Sequence, residues 1–262
     1  MTHREHLTVP GFEADRIEGA FVVARPEALE WIRKALGNHE SLHTAALADA
    51  ILRLKGRGPI PVILNPSGTG PAWSVRHYRR GGAMRLLDDR YLRLGAPRSL
   101  RELESSVQAR ALGITTPRVV AAAVYPSGVF YRADLVTEFV YDARELADVL
   151  LGTPDSAVPP SDPETRALAL TCTDRLVASM VAHGIQHPDL NARNILVART
   201  SQGMEAILLD LDQCVVGGAA VRGLSDRLRD RLARSIRKLQ RARSRSLSDE
   251  ELEIMLSGLE ES

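Results

Sequence analysis

Cysteine is scarce in this chain, and that scarcity narrows the possible folds and compartments. Only two of the 262 residues are cysteines, Cys172 and Cys214, and they lie far apart with no C-x-x-C pair. This excludes a disulfide framework and favours a reducing, cytoplasmic compartment. The seven histidines show no metal-ligand spacing, so a histidine-based metal centre is not predicted either.

Long apolar runs and an excess of one charge sign are also missing. No apolar stretch approaches the length of a membrane span, and the charged N-terminal sequence MTHREHLTVP is unlike a secretory signal. The formal net charge of +1 gives no overall sign of nucleic-acid binding. With 44% hydrophobic and 26% charged residues, the composition is that of an ordinary globular protein with one bilobal domain or two small ones.

The most specific pattern present is HPDLNARNIL at residues 187–196, followed by LLDLDQC at 208–214. Asp189 and Asn194 have the D-x-x-x-x-N spacing of a kinase catalytic loop, and Asp210 has the place of a kinase's metal-binding aspartate. A lone D-x-x-x-x-N is common and means little, whereas the whole set is rare. The pattern therefore predicts phosphoryl transfer from a nucleotide, ATP.

The expected roles follow from what phosphoryl transfer requires, an oriented hydroxyl and cations over the phosphates. Asp189 would accept the hydrogen bond of the acceptor hydroxyl. Asn194 and Asp210 offer hard oxygen atoms that suit Mg²⁺. Asp212 is a weaker alternative to Asp210, which directly follows the apolar run. His187 is expected to orient the loop by hydrogen bonding rather than to perform acid–base chemistry.

Hydrophobic periodicity and turn signals predict an α+β, bilobal protein-kinase-like fold. Strands dominate up to about residue 140, and helices dominate after it. We expect a helical extension at 1–55, a β-rich N-lobe with one helix at 56–140 and a mostly helical C-lobe at 141–262. The predicted helices lie at 26–54, 98–112, 144–151 and 164–183, and the predicted strands at 56–64, 72–78, 119–124, 129–135, 195–197 and 206–209.

A kinase also needs a cation on the nucleotide phosphates, and lysine is missing where it is expected. No lysine occurs between Lys55 and Lys238. Arg76, on the predicted strand AWSVRHY, is the best candidate, because a guanidinium can clamp phosphate with two donors. Its acidic partner is expected from the following helix, with Glu102 preferred and Glu104 in reserve. Arg76 as a solvated strand residue is the alternative.

A glycine-rich turn would cover the phosphates, because glycine lets backbone N–H groups approach them. The sequence offers two turns. NPSGTGP, with Gly68 and Gly70, is the first choice, and GRG, with Gly56 and Gly58, is the second. Neither has the G-x-G-x-x-G spacing, and glycine also simply makes hairpins.

Several blocks together resemble the 3-deoxy-D-manno-octulosonic acid (Kdo) kinases of the lipopolysaccharide kinase family. They are VRHYRRGG, DDRYLRLGAPRSLRELE, GITTPRVVAA, FYRADLVTEFV, HPDLNARNILV and LLDLDQC. The resemblance runs from about Gly56 to about Leu239. It implies ATP-dependent phosphorylation of the 4-hydroxyl of Kdo on a lipid A precursor, at the cytoplasmic face of the inner membrane. The residues before Gly56, the Pro/Ser-rich loop and the tail after Arg241 match nothing in the family, and Cys214 stands where the family tends to carry Arg-Gly.

Two basic features acquire a possible role from this resemblance. Arg79 and Arg80, beside two glycines, would suit an anionic acceptor such as a Kdo carboxylate or a lipid phosphate, with a charged strand end as the alternative. The C-terminal helix at 224–239 carries one apolar stripe among many arginines. It is expected to pack on the protein's own core, with peripheral contact to an anionic membrane as the second possibility.

Other functions stay open on the sequence alone. A small-molecule phosphotransferase, such as an aminoglycoside or heptose kinase, would share the catalytic loop, but HYRRGG argues against the aminoglycoside type. A pseudokinase that binds nucleotide without turnover would explain the missing lysine. The intact Asp189, Asn194 and Asp210 oppose it. The sequence indicates no nucleic-acid partner and no oligomeric state.

Overall fold

The computed structural model describes residues 9–56, 58–79, 89–93, 95–154, 157–201, 203–218, 221–243, 245 and 247. The chain divides into two compact units. The first comprises Met1–Val107 and Pro117–Phe139, and the second comprises Gln108–Thr116 and Val140–Ser262. The change at Val140 lies where the sequence pattern turns from strands to helices, but the short segment 108–116 also belongs to the second unit.

The first unit is built on one antiparallel sheet of eight strands. Seven of them follow the order β1-β2-β7-β8-β5-β4-β3, and β6 pairs with β8. The strands are β1 Glu13–Ile17, β2 Ala20–Ala24, β3 Leu52–Leu54, β4 Ile60–Ile63, β5 Trp73–His77, β6 Tyr91–Leu92, β7 Val119–Ser127 and β8 Phe130–Glu138. Strands β7 and β8 are the two strands that the sequence predicts around Pro126-Ser-Gly, and they run longer than expected, with the turn at Gly128 and Val129.

The helices of the first unit are α1 (Leu29–Asn38), α2 (Leu42–Ala48) and the beginning of α3 (Arg98–Ala111). Both α1 and α2 pack on the sheet through buried residues such as Ile32 and Leu42. Helix α3 has nearly the bounds that its periodicity predicts, and it ends before Gly113.

The N-terminal segment differs from the expected helical extension. Residues 13–24 form the hairpin β1–β2, and β2 pairs with β7 (Phe21↔Val124), so this segment belongs to the main sheet. Leu52–Leu54 is likewise strand β3 rather than helix. For β2 the reason is tertiary, because this short strand gains hydrogen-bonding partners on β7 about a hundred residues away. Strand β3 instead pairs with the nearby β4 (Leu52↔Val62).

In the described part of the second unit, a small sheet packs with three further α-helices, and the end of α3 also belongs to this unit. The sheet has the order β11-β10-β9, with β9 at Ala143–Glu145, β10 at Ile195–Thr200 and β11 at Gly203–Leu208. The helices are α4 (Leu146–Leu151), α5 (Pro163–Ala182) and α6 (Leu224–Arg243). Helix α5 begins at a capped N-terminus, because the Asp162 side chain accepts a hydrogen bond from the Thr165 N–H.

The apolar stripe of α6 lies in the core of the second unit. Leu228, Leu232 and Ile236 are buried together with Leu176 and Met180 of α5, and burial of each leucine stabilises the fold by roughly 2 kcal/mol. The expectation that this stripe packs internally is confirmed. Among the residues that the structure describes, no helix has both the length and the apolar content of a membrane span.

Candidate active site

The catalytic loop begins where α5 ends, at a position that only glycine fits. A Cβ on Gly184 would meet the carbonyl oxygen of Gly218 at 2.3 Å. This close approach lets Gln186 exchange backbone hydrogen bonds with Val215, at 2.9 and 3.1 Å. The stem of the loop is therefore fixed on both sides before the first functional residue.

His187 is buried and ties the loop to the strand end that carries Asp210. Its Nε2 donates a hydrogen bond to the Leu209 carbonyl oxygen at 3.0 Å. Burial lowers the pKa of His187, and its effect outweighs the Leu209 hydrogen bond and the Asp210, Asp189 and Asp212 carboxylates, which raise it. These contacts fit the loop-orienting role that the sequence predicts for His187.

Two asparagine side chains fix the backbone at Asp189. The Asp189 carbonyl oxygen accepts hydrogen bonds from Nδ2 of Asn191 at 2.8 Å and from Nδ2 of Asn194 at 3.0 Å. The Asn191 Oδ1 in turn accepts from the Arg193 N–H at 2.9 Å. Asp189 itself is exposed on this hydrogen-bonded loop, which suits a group that must orient an acceptor hydroxyl.

Helix α6 holds the same loop from behind through two side chains that the sequence did not single out. The Ser235 hydroxyl accepts a hydrogen bond from the Ala192 N–H at 3.2 Å, and Arg231 donates to the His187 carbonyl oxygen at 3.4 Å. Residues 231 and 235 are four apart and so share one helix face. The four-residue spacing is the local signal that the sequence offers for them, and it is too common among helices to identify Arg231 and Ser235.

Strands β10 and β11 bring Asn194 and Asp210 together. Their register pairs Ile195 with Leu208, and the Leu209 N–H donates to the Asn194 carbonyl oxygen at 2.9 Å. Asp210 follows with φ of 62° and ψ of 54°, a left-handed conformation that costs a non-glycine residue roughly 1–2 kcal/mol. Strained backbone of this kind is typical of functional sites.

Asp210 fits the metal-ligand role better than Asp212 does. Asp210 is half-buried, whereas Asp212 is 2% exposed inside the 3₁₀ turn Leu211–Gln213. Since Asn194 donates through Nδ2 to Asp189, its Oδ1 is the amide atom left for a cation. The described residues contain no group of three His, Cys, Asp or Glu able to hold a metal. A site of two oxygen ligands completed by phosphate and water is the kind that Mg²⁺ occupies in kinases.

In the first unit, Arg76 and Glu102 form the ion pair that the sequence predicts. The Arg76 guanidinium on β5 donates to the Glu102 carboxylate on α3 and, at 3.1 Å, to the Tyr78 hydroxyl. The Cζ atom of Arg76 lies 4.8 Å from the centre of the Tyr78 ring. Glu102 is 5% exposed, whereas Glu104 is half-exposed. Tyr78, which also donates to Glu102, is the member of this cluster that the sequence did not reveal.

The two glycine turns lie at opposite ends of strand β5. Strands β4 and β5 are antiparallel with Ile63 opposite Trp73, so the turn with Gly68 and Gly70 lies at the start of β5. Arg76 lies near the other end of β5, and the β3–β4 turn at 55–59 lies beside that same end. The register therefore favours the second choice of phosphate cover, the turn with Gly56 and Gly58, over the turn with Gly68 and Gly70.

Arg79 lies against this second turn. A Cβ on Gly58 would meet Nε of Arg79 at 2.9 Å, so the absence of a side chain there lets the arginine approach the backbone closely. Arg80 and the two glycines after it lie outside the described residues, and nothing is concluded about the acceptor role expected of Arg80.

Comparisons with known proteins place the chain in a family. Residues 65–256 match the model of the lipopolysaccharide kinase (Kdo/WaaP) family. The 3-deoxy-D-manno-octulosonic acid kinase of Vibrio vulnificus strain CMCP6 is 31% identical over 215 residues, covering 76% of this chain and 83% of that one. The kinase of the same name from Xanthomonas oryzae pv. oryzae strain PXO99A is 34% identical over 204 residues, covering 72% and 75%.

A solved structure supports the fold independently. The structure of WaaP in complex with acyl carrier protein matches with a TM-score of 0.53 and 15% identity, covering 90% of this chain and 86% of that chain. At that identity the likeness concerns the fold alone, and it confirms the α+β protein-kinase-like class. With the family model and the relatives, it shows that the chain belongs to the lipopolysaccharide kinase (Kdo/WaaP) family and is a phosphotransferase.

Proposed function

We propose that this protein is an ATP-dependent kinase that phosphorylates the 4-hydroxyl of Kdo on a lipid A precursor. The observation that carries the proposal is the catalytic loop, in which two asparagine amides fix the Asp189 backbone while Asp189 itself stays exposed. The relatives are named as Kdo kinases, and a Kdo acceptor comes to this chain from them.

The reaction assigned to Asp189 is proton acceptance during in-line transfer. The acceptor oxygen forms a bond to the γ-phosphorus of ATP as the bond from that phosphorus to the bridging oxygen of ADP breaks. Asp189 accepts the hydrogen bond, and finally the proton, of the attacking hydroxyl. His187 does not exchange protons with the substrate, because its donor nitrogen is bonded to Leu209 and its ring is 1% exposed in the apo fold.

Cations are assigned to both units. Asn194 Oδ1 and the Asp210 carboxylate would hold Mg²⁺, which when bound neutralises charge on the nucleotide phosphates. Arg76, held by Glu102 and Tyr78, is assigned to the phosphates in place of the usual lysine. The backbone of the 55–59 turn, with Gly56 and Gly58, is assigned as their cover.

In this proposal, basic side chains of the protein contact both the anionic acceptor and the anionic membrane surface. Arg79 is assigned to an anionic group of the acceptor, a Kdo carboxylate or a lipid phosphate. Because the apolar stripe of α6 is buried, peripheral contact with the cytoplasmic face of the inner membrane would depend on the exposed basic side chains of that helix: Arg227, Arg234, Arg237, Lys238 and Arg241.

The test is an acceptor panel. Purified protein is given ATP and Mg²⁺ with a Kdo-bearing lipid A precursor, a heptose-bearing lipid or an aminoglycoside, and phosphorylated product is identified by mass spectrometry. We expect product only with the Kdo lipid, at the Kdo 4-position. Asp189→Asn provides the inactive control, and Asp226→Asn, an exposed carboxylate of the same unit, the active one. Preferred turnover of either other acceptor would replace the Kdo assignment.

A further inference from the structure

A second cluster of ionisable side chains lies buried in the first unit, and the proposed chemistry does not use it. Its centre is Asp134 on β8, which is 0% exposed. One carboxylate oxygen accepts from Nδ1 of His77 at 2.5 Å. The other accepts from the His43 N–H at 2.9 Å and from the Tyr125 hydroxyl at 2.8 Å. A buried carboxylate with three donors is expensive to desolvate and needs compensating charge.

His77 supplies that charge, because carboxylates face both of its ring nitrogens. Nδ1 faces Asp134 at 2.5 Å and Nε2 faces Asp89 at 3.2 Å. A neutral imidazole has only one N–H, and a carboxylate only accepts, so both hydrogen bonds form together only when the ring carries two protons. Two carboxylates that face one ring therefore favour an imidazolium, with its side chain 8% exposed.

The cluster continues to the glycine turn through His43. Nε2 of His43 donates to the Pro59 carbonyl oxygen at 2.9 Å, while its backbone N–H binds Asp134. The rings of His43 and His77 lie 5.3 Å apart. Pro59 closes the 55–59 turn, so one chain of hydrogen bonds links that turn, helix α2, strand β8 and strand β5.

Strand β5 and the turn are thus fastened to each other by residues that directly follow Arg76. His77 is the next residue along the chain and holds the strand through Asp134. Arg79, two residues further on, packs against Gly58 of the turn. A shift of β5 relative to the turn would have to break the His77–Asp134 pair or the His43–Pro59 hydrogen bond.

We propose that His77, as an imidazolium between Asp134 and Asp89, is a positioning residue for nucleotide binding that fixes Arg76 and, through His43, the 55–59 turn. This inference rests on the proposed function, since it takes Arg76 and the turn as the phosphate contacts. His77 itself touches no substrate. It acts by keeping two phosphate-binding elements in one arrangement.

The charges around His77 agree with this geometry. Burial lowers the pKa of His77. The hydrogen bonds and charges of Asp134, and then of Asp89, together raise it by more than burial lowers it, so the pKa lies above the ordinary 6.5. The other groups that face the cluster are the His43 ring, the Tyr125 hydroxyl and Arg132, which lies 3.9 Å from Asp89. ATP affinity is therefore expected to be highest below the raised pKa and to fall as pH rises through it.

The experiment measures the Kd of ATP with Mg²⁺ and without acceptor, by competition with a fluorescent nucleotide, from about pH 6 to about pH 9. His77→Asn keeps a donor near Asp134 but removes the charge. His43→Leu removes the donor to Pro59, and His43→Gln restores it. Arg33→Gln, which removes an exposed ion pair with Asp15 in the same unit, is the control.

We expect His77→Asn to raise the Kd for ATP about tenfold and to abolish its rise with pH. His43→Leu is expected to raise it about fivefold, with His43→Gln within about twofold of wild type. Equal ATP affinity in wild type, His77→Asn and His43→Leu would overturn the inference. Because no acceptor is present, failure to phosphorylate the Kdo lipid would refute the proposed acceptor and leave this result standing.

A second readout does not depend on nucleotide or on a folded variant. In wild-type protein with ¹³C-labelled histidine, the His77 ring is expected to titrate above the ordinary histidine pKa. A His77 ring that titrates at or below that value would overturn the inference, even if His77→Asn fails to fold.

Discussion

The catalytic loop and the Arg76 strand are both held by several side-chain contacts, but those contacts are of different kinds. Around Asp189 the contacts are mostly neutral: asparagine amides, backbone groups and an imidazole whose pKa is lowered by burial, with the charged Arg231 donating to the His187 carbonyl oxygen. Around Arg76 they are ionic: Glu102 beside it, and His77 with Asp134 behind it. Neutral hydrogen bonds fix geometry with little dependence on pH or salt, whereas buried charges fix it only while each keeps its partner.

This contrast suits the assigned tasks of the two regions. The loop positions one carboxylate whose basicity matters, so nearby charges that changed with pH would disturb it. The strand positions a cation against a polyanion, and a network of buried charges can hold it firmly. The predictions below test this division, beginning with the largest effect.

Replacement of Asp210 separates the chemistry of the loop from its stability. Asp210→Asn is expected to lower kcat by about a thousandfold, since a neutral amide is a poor partner for Mg²⁺ and phosphate. Folding is expected to survive, because asparagine tolerates the left-handed conformation at φ 62°. Asp212→Asn, at a residue 2% exposed, is the counterpart, and it is expected to lower Tm more than kcat. Steady-state kinetics measures kcat, and thermal unfolding measures Tm, for both variants. A larger loss of kcat in Asp212→Asn than in Asp210→Asn would assign the metal ligand to Asp212.

Replacement of Arg76 tests the ionic region. Arg76→Ala is expected to lower kcat/KM for ATP about a hundredfold, because it removes the phosphate cation and leaves Glu102 buried without this partner. Arg76→Lys keeps the charge but loses the contact with the Tyr78 ring and the fork of donors, so a loss of about tenfold is expected. An unchanged KM for ATP in Arg76→Ala would place the phosphate cation elsewhere.

The sequence predicts the two regions unequally. Asp189, Asn194 and Asp210 lie at fixed local spacings, and the apolar residues around them define β10 and β11, so a short stretch contains the whole pattern. The Arg76–Glu102 pair is also predictable, because a strand followed by a helix limits the candidates. The choice between turns could not be made from the sequence, since it depends on the register of β4 against β5.

The sequence could not predict the His77–Asp134 pair either, because strand pairing brings these two residues together. Its members lie 57 residues apart, and nothing near either one marks the other. Strands β1 and β2 were missed likewise, because the pairing of β2 with β7 that holds this hairpin in the sheet is a tertiary contact. Local periodicity describes neutral, sequential structure well, but it does not show which distant charges become partners on folding.

The two histidines are expected to give the two units opposite responses to pH. His187 has a lowered pKa in the fold, so its contribution to stability is complete above 6.5 and is lost as pH falls toward the folded value. His77 has a raised pKa, so its contribution is complete below 6.5 and is lost as pH rises through the folded value. Hydrogen exchange of β10 and β11 amides is expected to quicken on acidification beyond the intrinsic trend, and that of β5 and β8 amides on alkalinisation. His187→Asn and His77→Asn would each flatten one response, and parallel behaviour of both sheets would contradict the division.

Glycine substitutions give the smallest effects and test which turn covers the phosphates. Gly58→Ala puts a Cβ 2.9 Å from Arg79 Nε. The Arg79 side chain can relieve this clash only by moving away from the turn, so we expect KM for ATP to rise about threefold. Gly68→Ala has open space but a φ of +79°, so it is expected to cost about 1 kcal/mol of stability and to leave KM unchanged. Because the 55–59 turn lies at the Arg76 end of β5 and the other turn does not, only the first substitution disturbs the ionic region. A rise in KM from Gly68→Ala alone would return the phosphate cover to the β4–β5 turn.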